Sequence, residues 1–227
     1  MATDKWGRAI GAVFLLPAVY FWARGRLPPG MKKRVLAFGT LIGAQGLMGW
    51  YMVKSGLEDR FHGENDVPRV SQYRLAAHLS LAFVLYTLLF WSALDQLIPA
   101  QTVAIASKAA IKASRRFRWL AHTSKGLVFL TAVSGAFVAG LDAGLVYNSF
   151  PKMGDKWIPD DILAFKPKVA NVTENPTTVQ FDHRVLGTIT LLTITSVSLL
   201  SRKRILPPRA YTAAAALGVL AYLQVIC

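Results

Sequence analysis

The chain has 227 residues, 53% of them hydrophobic, and a formal net charge of +14. This apolar content is too high for a soluble basic protein, and the Lys and Arg residues lack the interleaved aromatic residues expected of a nucleic-acid-binding surface. We therefore predict a membrane protein with no nucleic-acid partner. The single cysteine, Cys227, excludes an intramolecular disulfide and a cysteine-based metal site.

Six apolar runs, taken in chain order, predict six membrane-spanning helices, because about 20 apolar residues cross the hydrocarbon core of a bilayer. They lie near residues 7–22, 35–53, 73–97, 119–141, 181–200 and 211–227. The predicted fold class is an all-α polytopic transmembrane helical bundle. We expect residues 1–97 to hold three helices of an amino-terminal half, 98–118 to form a basic inner loop, and 119–227 to hold three helices of a carboxy-terminal half.

The loops alternate in charge, which predicts an orientation because Lys and Arg collect on the side from which a membrane protein inserts. The loops after the first, third and fifth runs contain no Asp or Glu. Their basic residues are Arg24, Arg26, Lys32, Lys33 and Arg34, then Lys108, Lys112, Arg115, Arg116 and Arg118, then Arg202, Lys203, Arg204 and Arg209. The intervening loops, 54–72 and 142–180, mix both signs and are assigned to the outside. Membrane lipid is an expected partner of the basic side.

A weak internal repeat indicates a duplicated architecture. Leu-Pro-Pro at 27–29 recurs at 206–208, and at the same offset Gly39 matches Gly218 and Gln45 matches Gln224. The first two helices therefore resemble the last two, as in membrane proteins built from duplicated bundles.

Two histidines, His78 and His183, lie about one turn inside the outer ends of the third and fifth runs. An imidazole in lipid needs a partner, and neutral imidazole is a good ligand for haem iron, zinc or copper. Zinc or copper would need several converging ligands, which these runs do not supply, whereas haem needs one or two axial ligands within apolar walls. Arg74 and Arg184, close to these histidines, could meet haem propionates near the interface.

A simpler interpretation stays open, because a lone histidine near a helix end is often a satisfied interfacial or core residue. We assign no ligand role to His62 or His122. Asp142 and Asp182 are interpreted as helix caps or interface residues. The sequence identifies no catalytic residue.

Four motifs, in a fixed order along the chain, are specific enough to indicate a family. They are RLAAHL at 74–79, SGAFVAGLDAGL at 134–145, YNSFPKMG at 147–154 and QFDHR at 180–184. Together they resemble the haem A synthase family over essentially the whole chain, most closely its mitochondrial and alphaproteobacterial form.

The resemblance implies an eight-helix protein of two four-helix halves, each holding a haem between two histidines. His78 matches the second ligand of the amino-terminal pair, whose haem is the substrate haem O. His183 matches the first ligand of the carboxy-terminal pair, which holds haem b as cofactor. The family oxidises the C8 methyl of haem O to a formyl group, giving haem A for cytochrome c oxidase.

The chain also departs from the family pattern. Ala2-Thr3-Asp4-Lys5 stands where a Glu-x-x-His-Arg motif would fall, and the family's first and last helices are absent. We therefore expect an incomplete form of the enzyme, with one histidine per haem and an uncertain activity of its own. The cysteine pairs of some bacterial members are absent too.

The resemblance implies a ferredoxin-type electron donor, an enzyme that supplies haem O, and a homo-oligomer as a further assembly. It places the protein in the mitochondrial inner membrane, or in the plasma membrane of a bacterium. The alternative function is a non-enzymatic haem-binding electron carrier of the cytochrome b type. A transporter built from inverted repeats is disfavoured, because no acidic residue lies at mid-span.

Overall fold

The computed structural model describes residues 2–58, 70–99, 108–202 and 206–226. Within these ranges the chain is helical, with one isolated β-bridge between Met153 and Lys156 and no strand. The predicted all-α fold class is confirmed. The chain divides into two compact units, Met1–Pro99 and Ala100–Cys227.

The first unit contains α1 (Ala2–Ala23), α2 (Met31–Glu58) and α3 (Gln72–Leu97), with α2 packed against both of the others. The turn between α1 and α2 uses two glycines in the left-handed region, Gly25 at φ +64° and Gly30 at φ +78°. At the basic end of this unit, Arg34 of α2 forms an ion pair with Asp95 of α3 at 2.8 Å.

The second unit contains α4 (Lys108–Gly140), the short α5 (Asn171–Glu174), α6 (Pro176–Ser201) and α7 (Pro208–Ile226). Helix α6 packs against α4 on one side and against α7 on another. The segment between α4 and α6, named the outer segment here after its predicted side of the membrane, also has 3₁₀ turns at Ala143–Leu145 and Lys168–Ala170.

All six predicted helices are present, and five are long and apolar enough to cross a membrane: those within α1, α2, α3, α4 and α6. The sixth predicted span is observed as α7, a helix of 19 residues that is not among those five. Aromatic rings with cations above them flank the spans, such as Trp22 with Lys32 and Trp50 with Lys54. Such pairs are typical of the two membrane interfaces.

The predicted boundary at the start of the fourth helix is wrong. Helix α4 begins at Lys108, so residues 108–118 of the expected basic loop are helical. The reason is composition: Ala, Lys and Arg are strong helix formers even where they are too polar for the hydrocarbon core. His62, Lys203 and Arg204, and the acidic residues expected between 59 and 69, lie outside the described residues.

Two glycines of the sequence repeat each face the preceding helix of their own unit, at different distances. A Cβ atom at Gly39 would lie 3.5 Å from the ring of Phe14 on α1, which is an ordinary van der Waals contact, and one at Gly218 would lie 2.7 Å from Oγ of Ser198 on α6. Gly218 therefore lies where α7 approaches the preceding helix closely. The duplication stays a prediction.

Candidate functional site

In the amino-terminal unit, His78 of α3 packs against α2 beside Gly49. A Cβ atom at Gly49 would lie 3.2 Å from Cε1 of the imidazole and 3.6 Å from its Nε2. Only glycine lets the ring lie so close to the helix backbone without a shift. One turn earlier on α2, the Gln45 amide donates to the carbonyl oxygen of His78 at 3.1 Å, and its Nε2 lies 3.5 Å from Nε2 of the imidazole.

Two polar atoms of this first site are buried without a hydrogen-bond partner among the described residues: His78 Nδ1 and Gln45 Oε1. Buried polar atoms nearly always have partners in folded proteins, so this pair indicates a place where a further group is needed. The contact of 3.5 Å between the Gln45 amide nitrogen and Nε2 of His78 is longer than a normal hydrogen bond, so the neutral imidazole keeps a lone pair that can bind iron. The first site therefore fits a histidine that holds haem iron.

In the carboxy-terminal unit, His183 of α6 packs against α4 in the same way. A Cβ atom at Gly135 would lie 3.2 Å from Cε1 of this imidazole and 3.9 Å from both ring nitrogens. Unlike the first site, this site has a hydroxyl beside the imidazole. Oγ of Ser134 lies 2.7 Å from Nδ1 of His183, and the same hydroxyl donates to the carbonyl oxygen of Thr131 at 2.8 Å. Nε2 of His183 has no hydrogen bond in the described part of the chain. The second site therefore also fits an axial ligand.

Arg184, the residue after His183, holds the outer segment against α6. Its guanidinium donates to the carbonyl oxygens of Ser149 at 2.7 Å, Tyr147 at 2.8 Å and Lys152 at 3.4 Å. The Gln180 amide donates to the same Tyr147 carbonyl at 2.8 Å. Three of the five guanidinium N–H groups thus donate to backbone carbonyl oxygens. The other two have no acceptor among the described residues and could donate to a bound group.

The remainder of the outer segment is organised by a buried polar cluster. Asn175 caps α6, its side-chain oxygen accepting from the Thr177 amide at 2.9 Å, while its Nδ2 donates to the Asp161 carbonyl at 2.8 Å. Asn171, fully buried, bonds the backbone of Phe165 through both its oxygen and its nitrogen. These bonds fix the entry of the chain into α6, and hence the height of His183 along it.

Tyr147 links two parts of the outer segment through a hydrogen bond near the surface. Its hydroxyl donates to the carboxylate of Asp161 at 3.1 Å. Desolvation raises the pKa of Tyr147 above its usual value, and this hydrogen bond, with the negative charges of Asp161 and Asp160, raises it further. The phenol therefore stays protonated and keeps the bond to Asp161 through the physiological range.

The structure places the predicted site residues as follows. His78 lies one turn from Arg74, whose guanidinium lies 5.0 Å from the ring centroid of Tyr51. His183 and Arg184 meet α4 and the outer segment. His122 is on α4 and exposed. Asp182 is an exposed residue of the second turn of α6, so its interpretation as a cap is wrong, since Asn175 caps that helix.

The sequence analysis missed the residues that hold the two imidazoles. Ser134 lies within one of the recognised motifs, yet a serine in an apolar helix carries no signal of its own. Gly49 and Gly135 are isolated glycines whose function appears only when another helix packs against them. The two Gly-x-x-x-Gly patterns, at 39–43 and 140–144, predict close approach of neighbouring helices instead. Of these glycines Gly39 contacts Phe14, whereas a Cβ atom at Gly43 or Gly144 would have no atom within 4 Å.

The chain is similar to known proteins over almost its whole length. The family model COX15-CtaA, described as cytochrome oxidase assembly protein, matches residues 4–227. The chain is 56% identical over 220 residues to "Heme A synthase COX15" of Homo sapiens, covering 97% of this chain and 52% of that protein. It is 45% identical over 202 residues to "Heme A synthase COX15" of Arabidopsis thaliana, covering 89% of this chain and 44% of that protein.

A third relative is the "Heme A synthase-mitochondrial ferredoxin fusion protein" of Schizosaccharomyces pombe, 34% identical over 254 residues, covering 97% of this chain and 41% of that protein. No solved structure matches the chain. The chain spans about half the length of the curated relatives it matches. The match over almost its whole length shows that the chain belongs to the COX15-CtaA family of cytochrome oxidase assembly proteins.

Proposed function

We propose that this chain forms part of a haem A synthase, which oxidises the C8 methyl group of haem O to a formyl group for cytochrome c oxidase. One observation carries the proposal. In each unit an imidazole, His78 or His183, packs against a glycine of the neighbouring helix and keeps a ring nitrogen without a hydrogen bond among the described residues. This occurs in a chain 56% identical to a human protein named heme A synthase.

The two histidines take different haems in this proposal. His78 would hold the iron of the substrate haem O, and His183 would hold the iron of a haem b cofactor. When bound, the haem iron supplies the redox chemistry of the reaction. The chain's own residues hold the macrocycle, orient it through the imidazoles and keep water from it with apolar helix surfaces.

The arginines fit a role at the propionates. Arg184 has guanidinium N–H groups beyond the three that bind backbone carbonyls, and its position is fixed by those bonds. Arg74 lies one helical turn outward from His78, with its guanidinium over Tyr51. A carboxylate near the membrane surface would meet either guanidinium in a charge-assisted hydrogen bond.

The proposed cellular context is the mitochondrial inner membrane, or the plasma membrane if the source is bacterial. A ferredoxin-type donor is supported by the fusion of the two proteins in the Schizosaccharomyces pombe relative. An enzyme that supplies haem O, and assembly into a homo-oligomer, stay predictions.

The activity is tested in the full-length protein that contains this chain, purified in detergent with haem O, a reducing system with ferredoxin, and oxygen. Extracted haems are separated by chromatography and identified by mass. A haem bearing a formyl group is the expected product. Bound haem that is never converted would instead support the alternative of a cytochrome b type electron carrier.

The ligands are tested by His78→Ala and His183→Ala in the same protein. Each substitution should change the optical and electron paramagnetic resonance spectra of a different haem, because the two side chains belong to different units. His122→Ala is the matched control, since His122 is an exposed histidine of α4. Loss of a haem in His122→Ala, with unchanged spectra in the other two variants, would refute the assignment.

A further inference from the structure

The Ser134 hydroxyl makes two contacts that together determine where its proton lies. A serine hydroxyl donates one hydrogen and accepts through two lone pairs. Oγ of Ser134 is 2.8 Å from the Thr131 carbonyl oxygen, which can only accept, and 2.7 Å from Nδ1 of His183. If the proton pointed to Nδ1, two oxygens would face each other at 2.8 Å with no hydrogen between them. The serine therefore donates to Thr131 and accepts from His183.

The two contacts of Ser134 favour one tautomer of His183. Nδ1 must carry the hydrogen that Ser134 accepts, so in a neutral ring the lone pair is on Nε2. The contact with Gly135 fixes the direction of that lone pair. Because Cε1 lies between the two nitrogens and meets the α4 backbone, Nε2 faces away from Ser134.

We propose that Ser134 is a positioning residue that holds His183 as the Nδ1–H tautomer and presents Nε2 as the iron ligand. The inference rests on the proposed function, in which His183 binds a haem. When one ring nitrogen of an imidazole binds a metal, a hydrogen bond from the N–H of the other ring nitrogen to a fixed acceptor orients the ring and raises its basicity. Ser134 is itself fixed by the Thr131 carbonyl on its own helix.

The position of Thr131 is further stabilised across the α4–α6 contact. Its side-chain hydroxyl lies 2.8 Å from the hydroxyl of Thr190, which is buried on α6 two turns after His183. Each of these hydroxyls also lies 2.8 Å from a carbonyl oxygen one turn earlier on its own helix, and because each carries a single hydrogen, one of the two donates across the contact and the other donates to its own helix. The acceptor for His183 is therefore built into the contact between the two helices.

The first site lacks this device. Nδ1 of His78 is buried without a partner among the described residues, although Gly49 meets its Cε1 edge at the same 3.2 Å. An imidazole whose N–H donates to a fixed oxygen is held in one orientation, which suits a haem that stays bound. An imidazole with no such hydrogen bond can change its orientation as a haem binds and leaves. The difference agrees with a resident cofactor at His183 and a substrate at His78.

The test uses the full-length protein with Ser134→Ala, Ser134→Thr and the control Ser124→Ala. Ser124 is buried on the same helix and donates to the carbonyl three residues earlier, as Ser134 does, but it contacts no imidazole. The measurements are haem affinity by titration, the midpoint potential, and the low-spin electron paramagnetic resonance signal of the His183 haem.

Ser134→Ala should lower the affinity for the His183 haem by about 10- to 100-fold, as expected when a residue that hydrogen-bonds a metal ligand is removed. Its midpoint potential should rise, because a less basic imidazole stabilises the oxidised iron less. Ser134→Thr should restore both values, since threonine keeps a hydroxyl that can bond a carbonyl of the preceding turn. Ser124→Ala should change neither value.

The outcomes separate the inference from the proposed function. If His183→Ala leaves every haem spectrum unchanged, the proposed ligand is wrong and the Ser134 inference is overturned with it. If His183→Ala removes a haem while Ser134→Ala matches wild type in affinity, potential and spectrum, only the positioning role is overturned. A loss in Ser134→Ala that Ser134→Thr does not reverse would also overturn it.

Discussion

The contact between Gly135 and His183 gives a sharp prediction for Gly135→Ala. The new Cβ would lie 3.2 Å from Cε1 of the imidazole, whereas carbon atoms pack best at about 3.5–4.0 Å. The ring must therefore move away from α4 by about 0.3–0.8 Å. Because Ser134 is the residue before Gly135 on the same helix, this retreat also strains the 2.7 Å hydrogen bond to Nδ1.

The magnitude follows from two opposing terms. Overpacking a fitted site costs about 1–3 kcal/mol, while alanine is about 1 kcal/mol better than glycine inside a helix. The net loss of stability is about 0–2 kcal/mol. Helix propensity acts equally on the free and the haem-bound protein, so haem affinity depends on the displaced imidazole alone and should fall by about 5- to 150-fold, which corresponds to about 1–3 kcal/mol. Gly49→Ala should cost less, because Nδ1 of His78 has no hydrogen bond to hold its ring in place.

The assay is haem titration with spectra of the bound form, using a matched control on each helix. Gly126 on α4 and Gly46 on α2 have no atom within 4 Å of a built Cβ, so their alanine variants should bind haem as wild type does. The reasoning is refuted if Gly135→Ala and Gly126→Ala have equal affinities and spectra.

Three further predictions concern the outer segment and the topology. Tags at Lys112 and Lys156 should be accessible to protease from opposite sides of sealed vesicles, because the basic segments share one side, and cleavage of both tags from one side would contradict the orientation. Asn175→Ala should lower the free energy of unfolding by about 1–2 kcal/mol through loss of the α6 cap, with a measurable decrease in Tm in detergent, whereas an unchanged Tm would show that the cap is dispensable. Because the pKa of Tyr147 is raised in the folded protein, its phenol should stabilise the segment fully at pH values below the ordinary tyrosine pKa, and this stabilisation should be lost as the pH rises through the raised pKa. An ultraviolet titration compared with Tyr147→Phe should show a phenolate that forms at higher pH than in a free tyrosine. Asp161→Asn should shift that transition to lower pH.

The positions of the helices could be predicted from the sequence because an apolar run must hydrogen-bond its own backbone in lipid. The starts of the helices were harder to predict. Helix α4 extends back to Lys108 because Ala, Lys and Arg favour a helix outside the apolar region as well as within it. The start of α6 depends on Asn175, whose cap is completed by bonds to Asp161 and Asn171 across the outer segment.

The all-α class, the helices and the two candidate ligands could be predicted from the amino-acid sequence, since a histidine in an apolar run is costly and therefore informative. How each imidazole is held depends on helix packing and is visible only in the folded chain. Ser134, Gly49 and Gly135 are ordinary small residues along an apolar helix, and they gain their roles from the helix packed against them. The distance from a hydroxyl to a ring nitrogen is set by helix packing, and a linear pattern of residues does not contain it.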